Sequence, residues 1–420
     1  MAISKDVLKQ VIFDQHEIIK EKEIVERNYR FESQGNYILT GLRRAGKTTT
    51  LYKLVKDLIE KGVSWQEIIY LNFEDERLAE FTLDDFNEIL LVQAELSDKK
   101  GYFFFDEIQN IDGWQKFARR LADSDERVYI TGSNAKMLSK DMERALGGRY
   151  FSLYISPYNF REYLLAHNIE VNDNSLYSSK NLAKIKRLFD QYLQYGGFPE
   201  TLKYENKREY VSNIYQKILL SDIVARNNIR NENSLKVLIK KIADTVCQPL
   251  SYSKLHNIIE TVGFKLSKDT VIEYVQHAKD AYLIFNIKNY YAKFAEKESN
   301  PKYYFRDNGL LNLFLQDKRS ALLENLIAIY LSQKEEELYY LQSSKTGIDI
   351  DFYLAEEKHA IQVTYSLDEN SKEREINNLI KLADSDPETK LTILTFDQEE
   401  VIEKGDHTIE VIPAYKFILK

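Results

Sequence analysis

At 420 residues the chain is too long for one typical hydrophobic core, so two or three domains are expected. Its 44% apolar and 30% charged residues exclude a disordered or fibrous protein, and a formal net charge of −8 gives no global attraction to nucleic acid or to an anionic membrane surface. The single cysteine, Cys247, excludes an intramolecular disulfide and a thiolate zinc site, and the six histidines lack ligand spacing. With no apolar window of membrane-spanning length, these features lead to the expectation of a cytoplasmic protein with no membrane partner.

Residues 1 to about 30 read as a charged helical lead-in to a short apolar strand, Asn36–Thr40. The next residues, GLRRAGKT at 41–48, fit the phosphate-loop pattern G-x-x-x-x-G-K-[ST]. A helix follows, on which Leu51, Leu54, Val55, Leu58 and Ile59 form one apolar stripe, so the motif lies in its required strand-to-helix context. The glycines let backbone N–H groups curl around an anion, and the helix N-terminus adds its positive end. The expected nucleotide-binding set is Gly41, Arg44, Ala45, Gly46, Lys47, Thr48 and Thr49, with Lys47 on the β- and γ-phosphates and Thr48 on Mg2+.

Apolar runs at Ile68–Phe73, Tyr102–Phe105, Val128–Thr131 and Phe151–Ile155 alternate with helical stretches, the pattern of a buried parallel sheet. The second of these runs delivers Asp106 and Glu107 to its C-terminal end, where open α/β sheets bind ligands. Asp106 there can hold Mg2+ through water while Glu107 polarises the attacking water, which makes ATP hydrolysis the expected reaction. Guanine is disfavoured, because the nearest approach to an Asn-Lys-x-Asp element, Asn206-Lys-Arg-Glu209, ends in Glu. Ser133 and Asn134 end the following strand at the same edge, placed to sense the γ-phosphate or position water, although a simple turn explains either one equally. Arg149, preceded by Gly147 and Gly148, is the candidate cation for charge that builds on the γ-phosphate, acting in cis or from a neighbouring subunit. A surface arginine paired to an acid is the alternative, and Arg43 and Arg44 are rivals inside the loop.

Residues 157–233 read as a helical subdomain interrupted by a turn at Gly196-Gly197-Phe198-Pro199. Residues 234–290, two short helices followed by the strand-like Ala281–Phe285, suggest a winged helix, with the charged tract Lys293–Lys302 as a linker to a last α/β segment. In 234–290 eight lysines face five acids, a modest surplus, and the helix from Ser267 to His277 presents Asp269 and Glu273 beside Lys268. That is a poor surface for phosphate, so DNA is the lesser of two partner readings and protein or self-association contact the greater.

Several segments together resemble the AAA-type P-loop ATPases of bacteria and archaea that carry a helical lid, a winged helix and a C-terminal restriction-endonuclease-like domain. The carriers are GLRRAGKT (41–48), YLNFEDERL (70–78), FFFDEIQNIDGWQ (103–115), ITGSNA (130–135), LGGRY (146–150), YGGFPE (195–200), YFRDNGL (304–310), LLENLIAIYL (322–331) and GIDIDFYL (347–354). The resemblance implies an α/β fold of the class that pairs a catalytic Glu with the Mg-holding Asp, with strand order 5-1-4-3-2 and domains near 1–156, 157–233, 234–292 and 300–420. It also likens Gly197-Phe198-Pro199 to an element that places its proline, here Pro199, against adenine; a plain turn explains the tripeptide equally well. In the C-terminal part Asp351 and Glu324 match nuclease acids, but the paired motif reads Gln362-Val363-Thr364, with neither carboxylate nor lysine, so nuclease chemistry is expected to be lost. Three classes stay open: a DNA-coupled ATPase, a slow signalling or defence switch acting through assembly, and an ATP-regulated nuclease.

Overall fold

Residues 3–138, 140–172, 175–316, 319–334 and 337–420 are described by the computed structural model. They form two units, the first Met1–Ser156 with Asp280–Tyr282 and the second Pro157–Lys279 with Leu283–Lys420.

The first unit runs α1 (Lys5–Glu21), β1 (Asn36–Thr40), α2 (Lys47–Glu60), β2 (Ile68–Asn72), α3 (Phe86–Leu96), β3 (Tyr102–Asp106), α4 (Trp114–Asp123), β4 (Arg127–Gly132), α5 (Lys140–Leu146) and β5 (Tyr150–Tyr154). All five strands are parallel, in the order β2-β3-β4-β1-β5. Strict alternation sends Ile69, Leu71, Phe103, Phe105, Val128 and Ile130 into one core, where they meet the apolar stripes of α1, α3 and α4. The intervening residues Tyr70, Phe104, Tyr129, Tyr37 and Phe151 form an aromatic row across all five strands, with neighbouring rings 4.8–6.2 Å apart. Such pairs fix the register, and the register decides which strand ends meet at the site.

The helical lead-in stops at Glu21 rather than near residue 30. Lys56 of α2 donates to the Lys20 and Lys22 carbonyls (3.2 and 2.7 Å), so a side chain takes up the end of the helix and the following residues run extended.

The second unit begins with α6 (Phe160–Ala166), α7 (Ser179–Tyr195), α8 (Lys207–Lys217), α9 (Glu232–Asp244), α10 (Tyr252–Thr261) and α11 (Lys268–Asp280). It continues through β6 (Ile284–Asn289), α12 (Phe294–Ser299), β7 (Lys302–Phe305), α13 (Asn308–Asn312), α14 (Arg319–Lys334), β8 (Leu338–Ser343), β9 (Ile348–Leu354) and β10 (His359–Val363). The last elements are α15 (Glu369–Ser385), β11 (Lys390–Thr395), β12 (Glu400–Lys404), β13 (His407–Pro413) and α16 (Ala414–Leu419). One mixed eight-stranded sheet, β12-β13-β11-β10-β9-β8-β6-β7, spans the unit. The tract Lys293–Lys302 is therefore not a linker. It carries α12 and ends in Lys302, which opens β7 and is 2% exposed.

Two glycine motifs of this unit support each other. Asp307 accepts from the Gly197 and Gly309 N–H groups, each at 2.8 Å, and burial pushes its carboxyl up to about 6 against those bonds. A Cβ at Gly309 would lie 2.3 Å from the Tyr195 carbonyl oxygen, and one at Gly197 2.1 Å from that of Tyr158, so neither position admits a side chain. Asn308 donates to the Leu193 and Leu322 carbonyls and accepts from Asn325. Asp307→Ala should orphan two buried donors and cost roughly 2–6 kcal/mol, at roughly 1–3 each. A lowered denaturation midpoint for the second unit checks this; an unchanged midpoint removes Asp307 as its anchor.

Candidate active site

β1 ends at Thr40, whose carbonyl accepts the Ile155 N–H at 2.7 Å, and the chain turns at Gly41 with φ +146°. A Cβ at Gly41 would sit 2.1 Å from the Ile155 carbonyl oxygen, so this close approach requires glycine. Arg44 (φ +64°) and Gly46 (φ +106°) add left-handed residues, and such alternation is what curls a backbone into an anion-binding nest above the α2 N-terminus. Lys47 is 5% exposed and donates to the Gly41 and Leu42 carbonyls at 3.1 and 3.2 Å, with its Nζ 3.9 Å from Glu107 Oε1. Thr48 and Thr49 are half-buried in the first turn of α2. Arg27, which the sequence reading passed over, braces the loop by donating to the Ala45 carbonyl (3.1 Å) and the Ser156 carbonyl (2.8 Å).

Asp106 is 1% exposed and held from two sides, by the Tyr70 hydroxyl (3.1 Å) and by the Thr131 hydroxyl. Burial and the adjacent Glu107 push its carboxyl up to about 6, although the Thr131 and Thr48 hydroxyls and Lys47 pull it down. Glu107 sits at φ +53°, a left-handed position uncommon for a non-glycine residue, with its N–H donating to Thr131 Oγ1 at 2.9 Å. Gln109 Nε2 binds the Glu107 carboxylate, while Gln109 Oε1 is buried without a hydrogen-bond partner among the described residues. Thr131 and Gln109 were thus missed as supporting residues. Their only sequence signals were a hydroxyl at a strand end and an amide two residues after a carboxylate. Ser133 and Asn134 follow at the same edge, 1% and 5% exposed, and Asn134 Oδ1 accepts from the Lys136 N–H at 2.7 Å.

The residues present fit a nucleotide phosphate with Mg2+. A nest with a buried ammonium suits the phosphates, and the Thr48 hydroxyl with the Asp106 carboxylate makes a hard oxygen pair that suits a magnesium ion also bound to phosphate.

One expected site residue stands apart from this group. Arg149 precedes β5, and the register Asn36↔Tyr150 places it at the N-terminal edge of the sheet, whereas the phosphate loop leaves the opposite edge after Thr40↔Tyr154. Five residues of strand, roughly 17 Å, separate the two. Arg149 pairs there with Asp123 and donates to the Gly147 carbonyl at 2.9 Å, so action on its own loop is corrected. Pro199 belongs to the second unit, where the turn around it is accounted for by Asp307 and by the Tyr158 N–H, which donates to the Gly197 carbonyl at 2.8 Å.

Residues 33–164 match the family model AAA_14, an AAA domain, and residues 186–321 match a domain of unknown function, DUF8612. Uncharacterized protein MJ1544 of Methanocaldococcus jannaschii is 33% identical over 442 aligned positions, covering 100% of this chain and 96% of its own. The chain belongs to the family of that archaeal protein. An uncharacterized protein of Haemophilus influenzae is 30% identical over 91% of this chain and 94% of its own. Among solved structures, the Walker-type ATPase PABY2304 of Pyrococcus abyssi aligns over 71% of this chain and 99% of its own, at 13% identity and a TM-score of 0.43. The ORC1 protein of Aeropyrum pernix in complex with DNA aligns over 78% and 94%, at 14% identity and a TM-score of 0.28. The matched domain and the strand order make the first unit an AAA-type P-loop ATPase domain. Among the described residues no helix is long and apolar enough to cross a membrane.

Proposed function

We propose that the chain binds ATP with Mg2+ at Gly41–Thr49, hydrolyses it with Glu107 as general base, and uses the cycle to switch the conformation of its helical and winged-helix parts. The observation that carries the chemistry is the convergence of Lys47, Asp106 and Glu107 at one sheet edge, with Lys47 Nζ 3.9 Å from Glu107 Oε1. Lys47 supplies the ammonium for the β- and γ-phosphates, and Thr48 with Asp106 holds the cation. Glu107 takes the proton of the attacking water, its backbone fixed by Thr131 and its carboxylate by Gln109. Bound Mg2+ would neutralise charge on the phosphate oxygens. Phosphate release assayed with and without Mg2+ tests this, and Mg2+-independent or absent turnover overturns it.

The switch reading rests on Tyr282. Asp280–Tyr282 belong to the first unit, although the rest of α11, which ends at Asp280, and the whole of β6 belong to the second. Tyr282 sits at φ +56° and is 7% exposed, and its hydroxyl donates to Thr40 Oγ1 at 2.8 Å, one residue before the phosphate loop begins. Nucleotide-dependent hydrogen exchange across residues 268–290 is expected in the wild type and should weaken in Tyr282→Phe, with ATP still bound. Exchange indifferent to nucleotide overturns the switch.

Arg149 is proposed to act on a neighbouring subunit. Turnover per subunit should rise with protein concentration, Arg149→Ala should impair turnover more than ATP binding, and mixing it with Glu107→Gln should restore some activity. Full activity in Arg149→Ala removes the assignment. Rate stimulation by DNA would select a DNA-associated switch, and a nucleotide-dependent change of mass would select an assembly switch.

A further inference from the structure

The phosphate loop and Glu74 belong to distant strands of one sheet, yet an ion pair joins them. The loop leaves β1, and Glu74 comes two residues after Asn72, the end of β2. In the order β2-β3-β4-β1 these strands are three spacings apart, roughly 14 Å. Arg43 closes that gap, with one guanidinium nitrogen (Nη1) 3.3 Å from Glu74 Oε1, so the loop and this side chain together reach over the ends of β4 and β3. β3 ends in Asp106, in register with Asn72, and the Phe73 N–H donates to the Asp106 carbonyl at 3.0 Å. The pair therefore spans the edge that carries Asp106 and Glu107. Lys47 Nζ is 3.9 Å from Glu107 Oε1, so the last phosphate of a nucleotide held by Lys47 would lie at this same edge.

The two partners are unequally tied. Arg43 follows Leu42, whose carbonyl accepts from Lys47 at 3.2 Å, so its backbone is part of the nest, and its side chain is 17% exposed. The Glu74 side chain is 49% exposed; its N–H donates to Asn72 Oδ1 at 3.0 Å, which fixes the backbone and leaves the carboxylate to water. A half-exposed carboxylate holds a guanidinium weakly, because water screens the pair. A phosphate meets the planar guanidinium with parallel charge-assisted bonds and holds it more strongly. Releasing Glu74 costs little, since its carboxylate is already solvated. The charge that builds on the terminal phosphate also calls for a cation, and Arg149 of the same chain stands at the other sheet edge.

We propose that Arg43 binds the γ-phosphate of ATP and that Glu74 holds the same guanidinium when no γ-phosphate is present, so that the pair sets the preference of the loop for ATP over ADP. The proposal rests on the phosphate loop being the ATP site.

Titration calorimetry on the full chain with Mg2+, comparing ADP with the non-hydrolysable AMP-PNP, tests it. Arg43→Ala should weaken AMP-PNP about tenfold or more, the loss of a charge-assisted bond. ADP should bind close to its wild-type affinity, because backbone N–H groups of the loop hold its phosphates. Glu74→Gln should strengthen AMP-PNP and leave ADP unchanged, and that gain should vanish when Arg43 is also replaced by alanine. Arg43→Lys, which keeps the charge without the planar fork, should fall between the wild type and Arg43→Ala. Equal losses for the two nucleotides in Arg43→Ala, AMP-PNP affinity unchanged by it, or a Glu74→Gln effect that persists without Arg43 would each overturn the proposal. If Lys47→Ala abolishes binding while those results go against Arg43, this proposal alone falls. Wild-type protein that binds neither nucleotide overturns the phosphate-loop reading with it.

Discussion

Glu107→Gln is expected to slow ATP turnover by about 10²–10⁴-fold, the usual worth of a positioned general base, while ATP remains bound. The substitution keeps shape and removes only the basic oxygen. Glu107 is held by three features that an amide preserves in part: the Thr131 bond to its N–H, the Gln109 contact to its side chain, and the left-handed backbone that turns it off the end of β3. Lys47 stays in place, anchored by the Gly41 and Leu42 carbonyls as well as lying near Glu107, so the phosphate contacts should survive. Phosphate release and binding of a fluorescent ATP analogue, measured on the same preparation, separate the two effects. Unchanged turnover would remove Glu107 from the chemistry, and loss of binding together with turnover would make it a structural residue. Gln109→Ala bears on the same point, since a positioning residue should lower kcat with little change in KM.

The first unit was legible because its information is local. Buried parallel strands are unbroken apolar runs, and a phosphate loop is a contiguous string whose glycines have one use; Asn36–Thr40 is the strand expected, while the order 5-1-4-3-2, which is the order observed, was implied by the family resemblance and not by the runs themselves. What escaped depends on contacts distant in sequence. Arg27 braces Ala45 from 18 residues away and Ser156 from 129 away, and nothing in its charged neighbourhood distinguishes it from the other cations there. The choice between the two roles left open for Arg149, in cis or from a neighbouring subunit, has a related cause: its glycines and the following strand are local, but only the direction of β5 puts the residue before the strand at the edge away from its own loop. The tract 293–302 looked like a linker because it is charged, yet Lys302 is buried where Asp351, 49 residues on, supplies the opposite charge. A charge run signals solvent only until a partner is known, and a partner brought by sheet topology is invisible to spacing.

Lys47→Ala should abolish measurable nucleotide binding. Its ammonium, 5% exposed, lies at the mouth of the nest formed by Gly41–Gly46, and against phosphate oxygens it can make two charge-assisted bonds. At roughly 1.5–3 kcal/mol each, their loss corresponds to about 10²–10⁴-fold in affinity. A second effect adds to the first. Lys47 is one of the groups that hold the Asp106 carboxyl down against burial and Glu107, so removing it leaves two adjacent carboxylates without their nearby cation and makes the ionised pair harder to keep. Phosphate and metal sites should therefore fail together, where Glu107→Gln spares both. Lys47→Arg restores the charge but not the compact ammonium, and its larger planar group must fit where the Gly41 and Leu42 carbonyls lie 3.1 and 3.2 Å from Nζ, so it should recover only part of the affinity. Equilibrium binding of the ATP analogue across the three proteins, with far-ultraviolet circular dichroism to confirm folding, decides the matter. Wild-type affinity in Lys47→Ala would mean that nucleotide, if bound at all, is held somewhere other than this loop.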